Sequence, residues 1–166
     1  MNVARRLKLR ARDAEDLQTI AACVQDALVP LGEMRYLPEE GRFALMLNRF
    51  RWEVAPESTL PEDRPTEGDA AYADAAAESF ERVHSALVFD RVRSVKRRRL
   101  AEAAAGGMLS LLTLGLEGHQ VMLYFAGAAA VSLDVDQVSC HLEDLGEGWP
   151  TVWRPEHADG KPSDGR

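Results

Sequence analysis

The sequence predicts an α+β protein: a strongly twisted antiparallel sheet or partly open barrel with one long N-terminal helix and a short C-terminal helix. Three observations lead to this fold class. Apolar and polar residues alternate through most of the chain, short turn-like segments separate these stretches, and one early segment has helical periodicity. Because short turns join antiparallel strands, whereas parallel strands need long crossovers, an antiparallel sheet is expected. The order of elements also admits a pleckstrin-homology-like barrel, although the helix comes early for that fold.

The helix is predicted over Ala14 to Leu28. Asp13 is a typical N-cap residue, and Asp16 stands three positions later, as in a capping box. Apolar residues then recur at three- and four-residue steps, at Leu17, Ile20, Ala21, Val24, Ala27 and Leu28. Pro30 and Gly32 are expected to end the helix.

Seven other segments have the pattern of strands. They are Leu7 to Ala11, Glu33 to Leu37, Arg42 to Trp52, Phe80 to Val95, Met108 to Leu116, His119 to Phe125 and Ala130 to Val135. Hairpin turns are predicted at Pro38 to Gly41 and at Glu117-Gly118. The apolar parity changes near Asn48, which predicts either a bulge or a strand buried on both faces.

The segment after Asp136 is compatible with two structures. Val138, Leu142 and Leu145 suit a short helix, whereas Val138, Cys140 and Leu142 suit a strand. We expect the helix, ended by the glycines that follow.

Residues 1–153 are expected to form a single domain, because a chain of 166 residues is long enough for one core. Within it, residues 53–78 contain three prolines, many acidic residues and an Ala-rich end, which predicts a mobile solvated loop. Residues 154–166 are predicted to be a disordered tail.

The composition constrains the class of partner. The net charge of −7 argues against non-specific binding to nucleic acid or to an anionic membrane. No apolar run reaches the length of a membrane helix, and the N-terminus lacks the pattern of a signal peptide. We therefore expect a cytoplasmic protein in which Cys23 and Cys140 are reduced thiols.

Several separated strings resemble one known family. They are Leu7 to Ala11 with Asp13 to Leu17, Arg42 to Leu45 with Asn48 to Trp52, Leu87 to Val95, Phe125 to Gly127, and Leu142 to Gly146 with Trp149 to Thr151. Together they are similar to an uncharacterised bacterial family, the domain of unknown function number 2948. The resemblance covers nearly the whole chain apart from the acidic loop and the tail. It implies a cytoplasmic bacterial protein and transfers no catalytic residue.

The sequence lacks the common nucleotide-binding and hydrolase motifs. Cys140 and His141 are neighbours in sequence but diverge on either a strand or a helix, so they do not form a nucleophile pair. The histidines lack the close spacing of a zinc site: His84, His119, His141 and His157. Asp134 and Asp136 lack the other oxygen ligands of a calcium loop. We expect no catalytic residue, no metal and no cofactor.

One basic stretch departs from the acidic average. It contains Arg91, Arg93, Lys96, Arg97 and Arg98. On an extended strand Arg91, Arg93 and Arg97 would project to one side, and the other two residues to the opposite side. Such a patch can bind an acidic protein or a small anionic ligand, because Arg pairs well with carboxylate and phosphate. The alternatives are a charged edge strand that discourages edge-to-edge pairing, or neutralisation of the acidic loop.

Arg49 and Arg51 form a second candidate pair. They are spaced by two and followed by Trp52, so on a strand they share one face and could grip a carboxylate or phosphate. The alternative is that their stems cover apolar surface or that they pair with a nearby Glu.

The leading hypothesis is a non-enzymatic binding or adaptor domain that uses its Arg-rich strands to hold an unknown acidic protein or small anionic ligand. The alternative is an enzyme of unrecognised type with a His/carboxylate site assembled by the fold. Nucleic acid is disfavoured as a partner, because only Phe89 accompanies the basic stretch. The sequence does not constrain the oligomeric state.

Overall fold

The structure, a computed structural model, describes residues 6–54 and 81–151. Its strands form one ten-stranded sheet in which neighbouring strands are antiparallel. The strands are β1 (Lys8–Ala11), β2 (Ala27–Pro30), β3 (Met34–Leu37), β4 (Arg42–Phe50), β5 (Glu81–Phe89), β6 (Val92–Arg98), β7 (Met108–Glu117), β8 (Gln120–Phe125), β9 (Ala129–Val135) and β10 (Cys140–Pro150). The helices are α1 (Ala14–Val24) and α2 (Leu100–Ala103). The predicted α+β class with an open, twisted antiparallel sheet is confirmed.

The order of strands across the sheet is β1-β10-β5-β4-β2-β7-β8-β9-β6, and β3 pairs with the first part of β4. In the described residues β1 and β6 lie at the two ends of this order, so the sheet does not close through a ladder between them. One face of the sheet and the inner side of α1 enclose a single apolar core. The helix lies before nine of the ten described strands, which is early for a pleckstrin-homology-like order.

Helix α1 begins as predicted. The Asp13 carboxylate accepts a hydrogen bond from the Asp16 amide at 2.8 Å, and the Asp16 carboxylate accepts one from the Arg12 amide at 3.1 Å. Leu17, Ile20 and Val24 carry the buried side of the helix.

The helix ends earlier than predicted, because it stops at Val24 and not at Leu28. Asp26 has a φ of 60° in the left-handed region, which turns the chain out of the helix. Residues 27–30 then pair with β7 and, through Leu28, with β4. Helical spacing of apolar residues continues past Val24, but sheet pairing determines the backbone there.

The predicted hairpin of β3 and β4 is confirmed. Gly41 supplies its positive φ of 61° and also brings its carbonyl within 2.8 Å of the Val92 amide. The register of β4 with β5 runs without a shift from Phe43 to Phe50. Arg49 and Phe50 are both buried. The change of apolar parity near Asn48 therefore reflects burial on both faces and not a bulge.

The predicted helix after Asp136 is wrong. Residues 140–150 form β10, which pairs with β1 on one side and with β5 on the other. Gly146 does not end this element but lies where the register with β5 shifts, between Leu145 and Trp149. Its positive φ of 83° is compatible with such an irregularity.

The structure also differs from two smaller predictions, the position of the β7–β8 turn and the number of strands. The β7–β8 turn consists of Gly118 and His119, because Glu117 already pairs with Gln120 across the hairpin. The sheet has ten strands and not about seven. The additional strands are β2, β10 and β6, the last of which is separated from β5 by a turn at residues 90–91.

The described ranges leave some predictions open. Most of the acidic loop predicted at residues 53–78 and the tail predicted at residues 154–166 lie outside them, although residues 52–54 form a 3₁₀ turn. Within the described ranges no helix has the length and hydropathy needed to cross a membrane.

Replacing Asp13 tests the cap of α1. Asp13→Ala removes the acceptor for the Asp16 amide and should lower the free energy of unfolding by about 1 kcal/mol. Asp13→Asn keeps a good cap and should change it by less than about 0.5 kcal/mol. Urea denaturation measures both values, and equal losses in the two variants would contradict the capping role.

Candidate functional site

A largely buried ionic cluster joins the three strands β4, β5 and β10 at one end of the core. It consists of Arg49, Arg51, Glu53, Glu81 and Asp144. On β4 the inward alternation of Phe43, Leu45 and Leu47 continues into Arg49, whose side chain is 0% exposed. A charge in this position is stable only if it is fully paired.

Arg49 is paired with two carboxylates. Its Nε and Nη2 donate to the two Asp144 oxygens, each at 2.8 Å, in a bidentate arrangement. Its Nη1 and Nη2 donate to Glu53 at 3.0 and 2.6 Å, and Nη1 also reaches the Phe50 carbonyl at 3.4 Å. Every guanidinium hydrogen is thereby used within the protein, which leaves none for an external anion.

Asp144 receives further hydrogen bonds from neutral groups. The Ser85 hydroxyl donates to it at 2.7 Å and the Leu7 amide at 2.9 Å. Burial acts to raise the pKa of Asp144, but the hydrogen bonds from Arg49, Ser85 and Leu7 outweigh it and hold this pKa below its ordinary value. The carboxylate is therefore ionised at neutral pH.

Arg49 and Glu53 follow the same balance between burial and hydrogen bonding. Burial opposes the charge on Arg49, but hydrogen bonds to Asp144 and Glu53 outweigh it and raise the pKa of Arg49. Burial acts to raise the pKa of Glu53. The hydrogen bond from Arg49 is the largest of the opposing effects, and together they lower this pKa below its ordinary value. Arg49, Glu53 and Asp144 therefore keep their charges near pH 7.

Arg51 ties the start of β5 to the end of β4. Its Nη1 donates to a Glu81 oxygen at 2.5 Å, and its backbone amide donates to the Glu81 carbonyl at 2.8 Å. Its Nε lies 3.7 Å from Glu53. Gly148 makes room for this pair, because a Cβ there would lie 2.8 Å from the Glu81 carboxylate. Arg49 and Arg51 thus pair with nearby Glu residues, as the second interpretation of their spacing anticipates.

The second candidate site is the basic edge, which we define as Lys96, Arg97 and Arg98 of β6. All three side chains are exposed. None forms an ion pair with an acidic residue in the described ranges, 6–54 and 81–151. Among the strands that the structure describes, β6 pairs only with β9 and lies at the end of the strand order. The basic edge is therefore an accessible row of cations on a terminal strand.

Arg91 and Arg93 are placed differently from the basic edge. Arg93 pairs with Asp134 and Asp136, each at 3.0 Å, and Arg91 precedes the strand with a φ of 58°. The register with β9 shifts between Val92 and Ser94, which interrupts the two-residue alternation at Arg93. The expectation that Arg91, Arg93 and Arg97 project from one regular face therefore does not hold.

Two histidines singled out in the sequence have identified neighbours. The rings of His84 and Trp149 are 4.5 Å apart, and His119 Nδ1 lies 2.8 Å from Asp134 with the imidazole 69% exposed. Within the described residues no three His, Cys, Asp or Glu side chains are grouped so that they could hold a metal ion. His157 lies outside these residues.

His141 lines a groove of about 410 Å³ between β1 and β10. The other lining residues are Lys8, Leu9, Arg10, Leu142 and Glu143. His141 Nδ1 lies 3.8 Å from Asp90, which is beyond hydrogen-bonding distance. Neither His84 nor His119 lines this groove.

Both cysteines are free, as predicted. Burial raises the pKa of Cys23, which lies near the ionic cluster, and it also raises the pKa of Cys140 in the core. A raised pKa disfavours the thiolate, which is the nucleophilic form. Neither thiol has the environment of an activated nucleophile.

Removing the Asp144 charge should destabilise the fold strongly. Asp144→Asn leaves the fully buried Arg49 with Glu53, which is 38% exposed, as its remaining carboxylate partner, so we expect a loss of about 3 kcal/mol in the free energy of unfolding. The matched control is Glu143→Gln on the same strand, whose partner Lys8 is exposed, and which should cost less than about 1 kcal/mol. Urea denaturation compares the variants. Similar losses would show that the cluster does not support the fold.

The ionic cluster also predicts how stability depends on pH. The pKa values of Asp144 and Glu53 are lowered on folding, so the unfolded chain binds more protons as the pH falls through about 4. Their stabilising contribution is complete above this range and is lost at lower pH. Urea midpoints should fall more steeply with acidification in the wild type than in Asp144→Asn. Parallel curves would contradict the assignment.

Comparison of the sequence with known protein families gives a match. The model of the family described as protein of unknown function (DUF2948) matches residues 7–157. A search of curated proteins and a search of solved structures find no match. The matched range includes both the ionic cluster and the basic edge. Because it spans most of the 166 residues, the chain belongs to the DUF2948 family.

Proposed function

We propose that this DUF2948 protein is a non-enzymatic binding domain whose basic edge holds an acidic segment of a partner protein. The observation that carries the proposal is the combination of exposed cations and a terminal strand. Lys96, Arg97 and Arg98 lie on β6, which within residues 6–54 and 81–151 has a neighbouring strand on one side only.

The charge distribution supports an acidic partner. The chain has 27 acidic and 20 basic residues, and several of its other cations lie against carboxylates. Arg42 is 2.8 Å from Asp90, and Arg93 is 3.0 Å from Asp134. The cations of the basic edge lack such partners in the described ranges, so a patch of positive potential remains on an acidic protein. Complementary potential of this kind steers association and selects the partner.

The arrangement of the cations supports a chain-like ligand over a small anion. Consecutive side chains on a strand point to opposite faces of the sheet, so Lys96 and Arg98 diverge from Arg97. A compact phosphate or carboxylate cannot contact all three. A polypeptide that passes along the strand can place acidic residues near both Lys96 and Arg98, which share one face.

The buried arginines have no part in this proposal. Arg49 uses its guanidinium hydrogens on Asp144, Glu53 and the Phe50 carbonyl.

Among the described residues two histidines lie near a carboxylate. The exposed His119 contacts Asp134 at the surface, whereas reaction centres lie in clefts. His141 is 3.8 Å from Asp90, beyond hydrogen-bonding distance. Neither contact favours the enzyme hypothesis.

Charge reversal at the basic edge tests the proposal. The probe is a fluorescein-labelled peptide of alternating Glu and Val, and fluorescence anisotropy measures its dissociation constant. Lys96→Glu combined with Arg98→Glu, two positions on one face of β6, should weaken binding by at least about tenfold, because attraction to the acidic side of the peptide becomes repulsion. The unfolding midpoints of the variants verify that each is folded.

The matched control combines Lys8→Glu with Arg10→Glu on β1, the other terminal strand. It changes the net charge by the same amount and should weaken binding by less than about twofold. Equal weakening in both double variants would show a general charge effect, and failure of the wild type to bind the peptide would refute the proposal.

A further inference from the structure

The outer side of β6 is closed at one end and open at the other. At its start, the Val92 amide donates to the Gly41 carbonyl at 2.8 Å, and the Tyr36 hydroxyl donates to the Arg93 carbonyl at 3.0 Å. These contacts attach β6 to the hairpin of β3 and β4. Beyond Arg93, within the described residues, no strand pairs with this side of β6.

The open part of β6 has the backbone groups needed to bind another strand. From Ser94 to Arg98 the strand is in register with β9, from Asp134 to Ala130. In an antiparallel ladder only alternate residues direct their N–H and C=O groups toward a given neighbour, so the remaining groups of β6 point outward. Such a row of unpaired groups is a template for an added strand.

The cations determine which strand can be added. If two copies of the protein paired through β6 in an antiparallel arrangement centred on Arg97, Lys96 of one copy would face Arg98 of the other, and the two Arg97 residues would face each other. Like charges directly opposite each other destabilise a strand pair. An acidic segment in the same place would form favourable cross-strand pairs. The same residues therefore disfavour self-association and favour an acidic partner.

One apolar position adds a further constraint. Val95 is half-buried and packs against the core, between the exposed Ser94 and Lys96. An added strand would place a side chain near Val95 on this face, whereas acidic residues two positions apart would face Lys96 and Arg98 on the other. Alternation of acidic and apolar residues places carboxylates opposite Lys96 and Arg98 and an apolar side chain near Val95, while Arg97 lies on the apolar side of the added strand.

We infer that the partner segment binds by strand addition: an extended, alternating acidic and apolar segment of another protein pairs its backbone with β6 between Val95 and Arg98. This inference rests on the proposed function and specifies the conformation of the ligand. It extends the antiparallel sheet of the full chain by one strand and requires no rearrangement of β6.

Backbone methylation of the probe separates strand addition from attraction between charges. The wild-type full chain, labelled with ¹⁵N, is titrated with the alternating Glu-Val peptide and with the same peptide N-methylated at every amide. Methylation removes the N–H donors and blocks backbone approach but keeps every carboxylate. The methylated peptide should bind at least about tenfold more weakly, since hydrogen bonds along the strand are lost. Only the unmethylated peptide should slow hydrogen exchange of alternate amides from Val95 to Arg98.

The outcomes distinguish this inference from the proposed function. Equal binding of both peptides without slowed exchange in β6 would overturn strand addition while leaving charge-based binding in place. Failure of both peptides to bind would overturn both. Dimerisation that slows exchange of the same amides without peptide would also overturn the inference, because it would identify a second copy as the occupant.

Discussion

A single antiparallel sheet encloses the core, and the positions where its ladders stop determine which backbone groups remain available for binding. In the described residues the strand order stops at β1 and β6. The hairpin containing Gly41 holds the beginning of β6, but the ladder does not continue along the strand. The unpaired part carries consecutive cations, which disfavour self-pairing and, in the proposed function, select acidic chains. The fold leaves the outer side of β6 without a paired strand, and the proposed function depends on this open side.

The two groups of arginines are similar in sequence but differ in environment. Arg49 is fully buried, and its hydrogen bonds to Asp144 join positions 95 residues apart in the chain. Burial makes this pairing obligatory, because an unpaired charge in the core is very costly. Arg97 and Arg98 are exposed, so water solvates their charges and they can exchange solvent for a ligand. Burial, and not residue type, therefore separates the structural arginines from the candidate binding residues.

Elements with strong local periodicity were predictable from the sequence, including α1 and the hairpin of β3 and β4. The prediction failed where one pattern fits two structures. Leu28 continues the helical spacing but belongs to a strand, since pairing with Asn48 and Ser110 fixes its backbone. A strand assignment for β10 would have placed Asp144 on the inward face after Cys140 and Leu142, which is a signal for a buried charge. Its partner could not be predicted, because the order β10-β5-β4 depends on long-range pairing.

The most direct measurement of the central claim is amide hydrogen exchange along β6 in the free protein. If the outer side of this strand is open, Val92 should exchange slowly because it is bonded to Gly41, whereas alternate amides between Val95 and Arg98 should exchange rapidly. The intervening amides should be slow, because they pair with β9. Uniformly slow exchange from Val92 to Arg98 would contradict the account, since it would mean that another part of the protein already covers this edge.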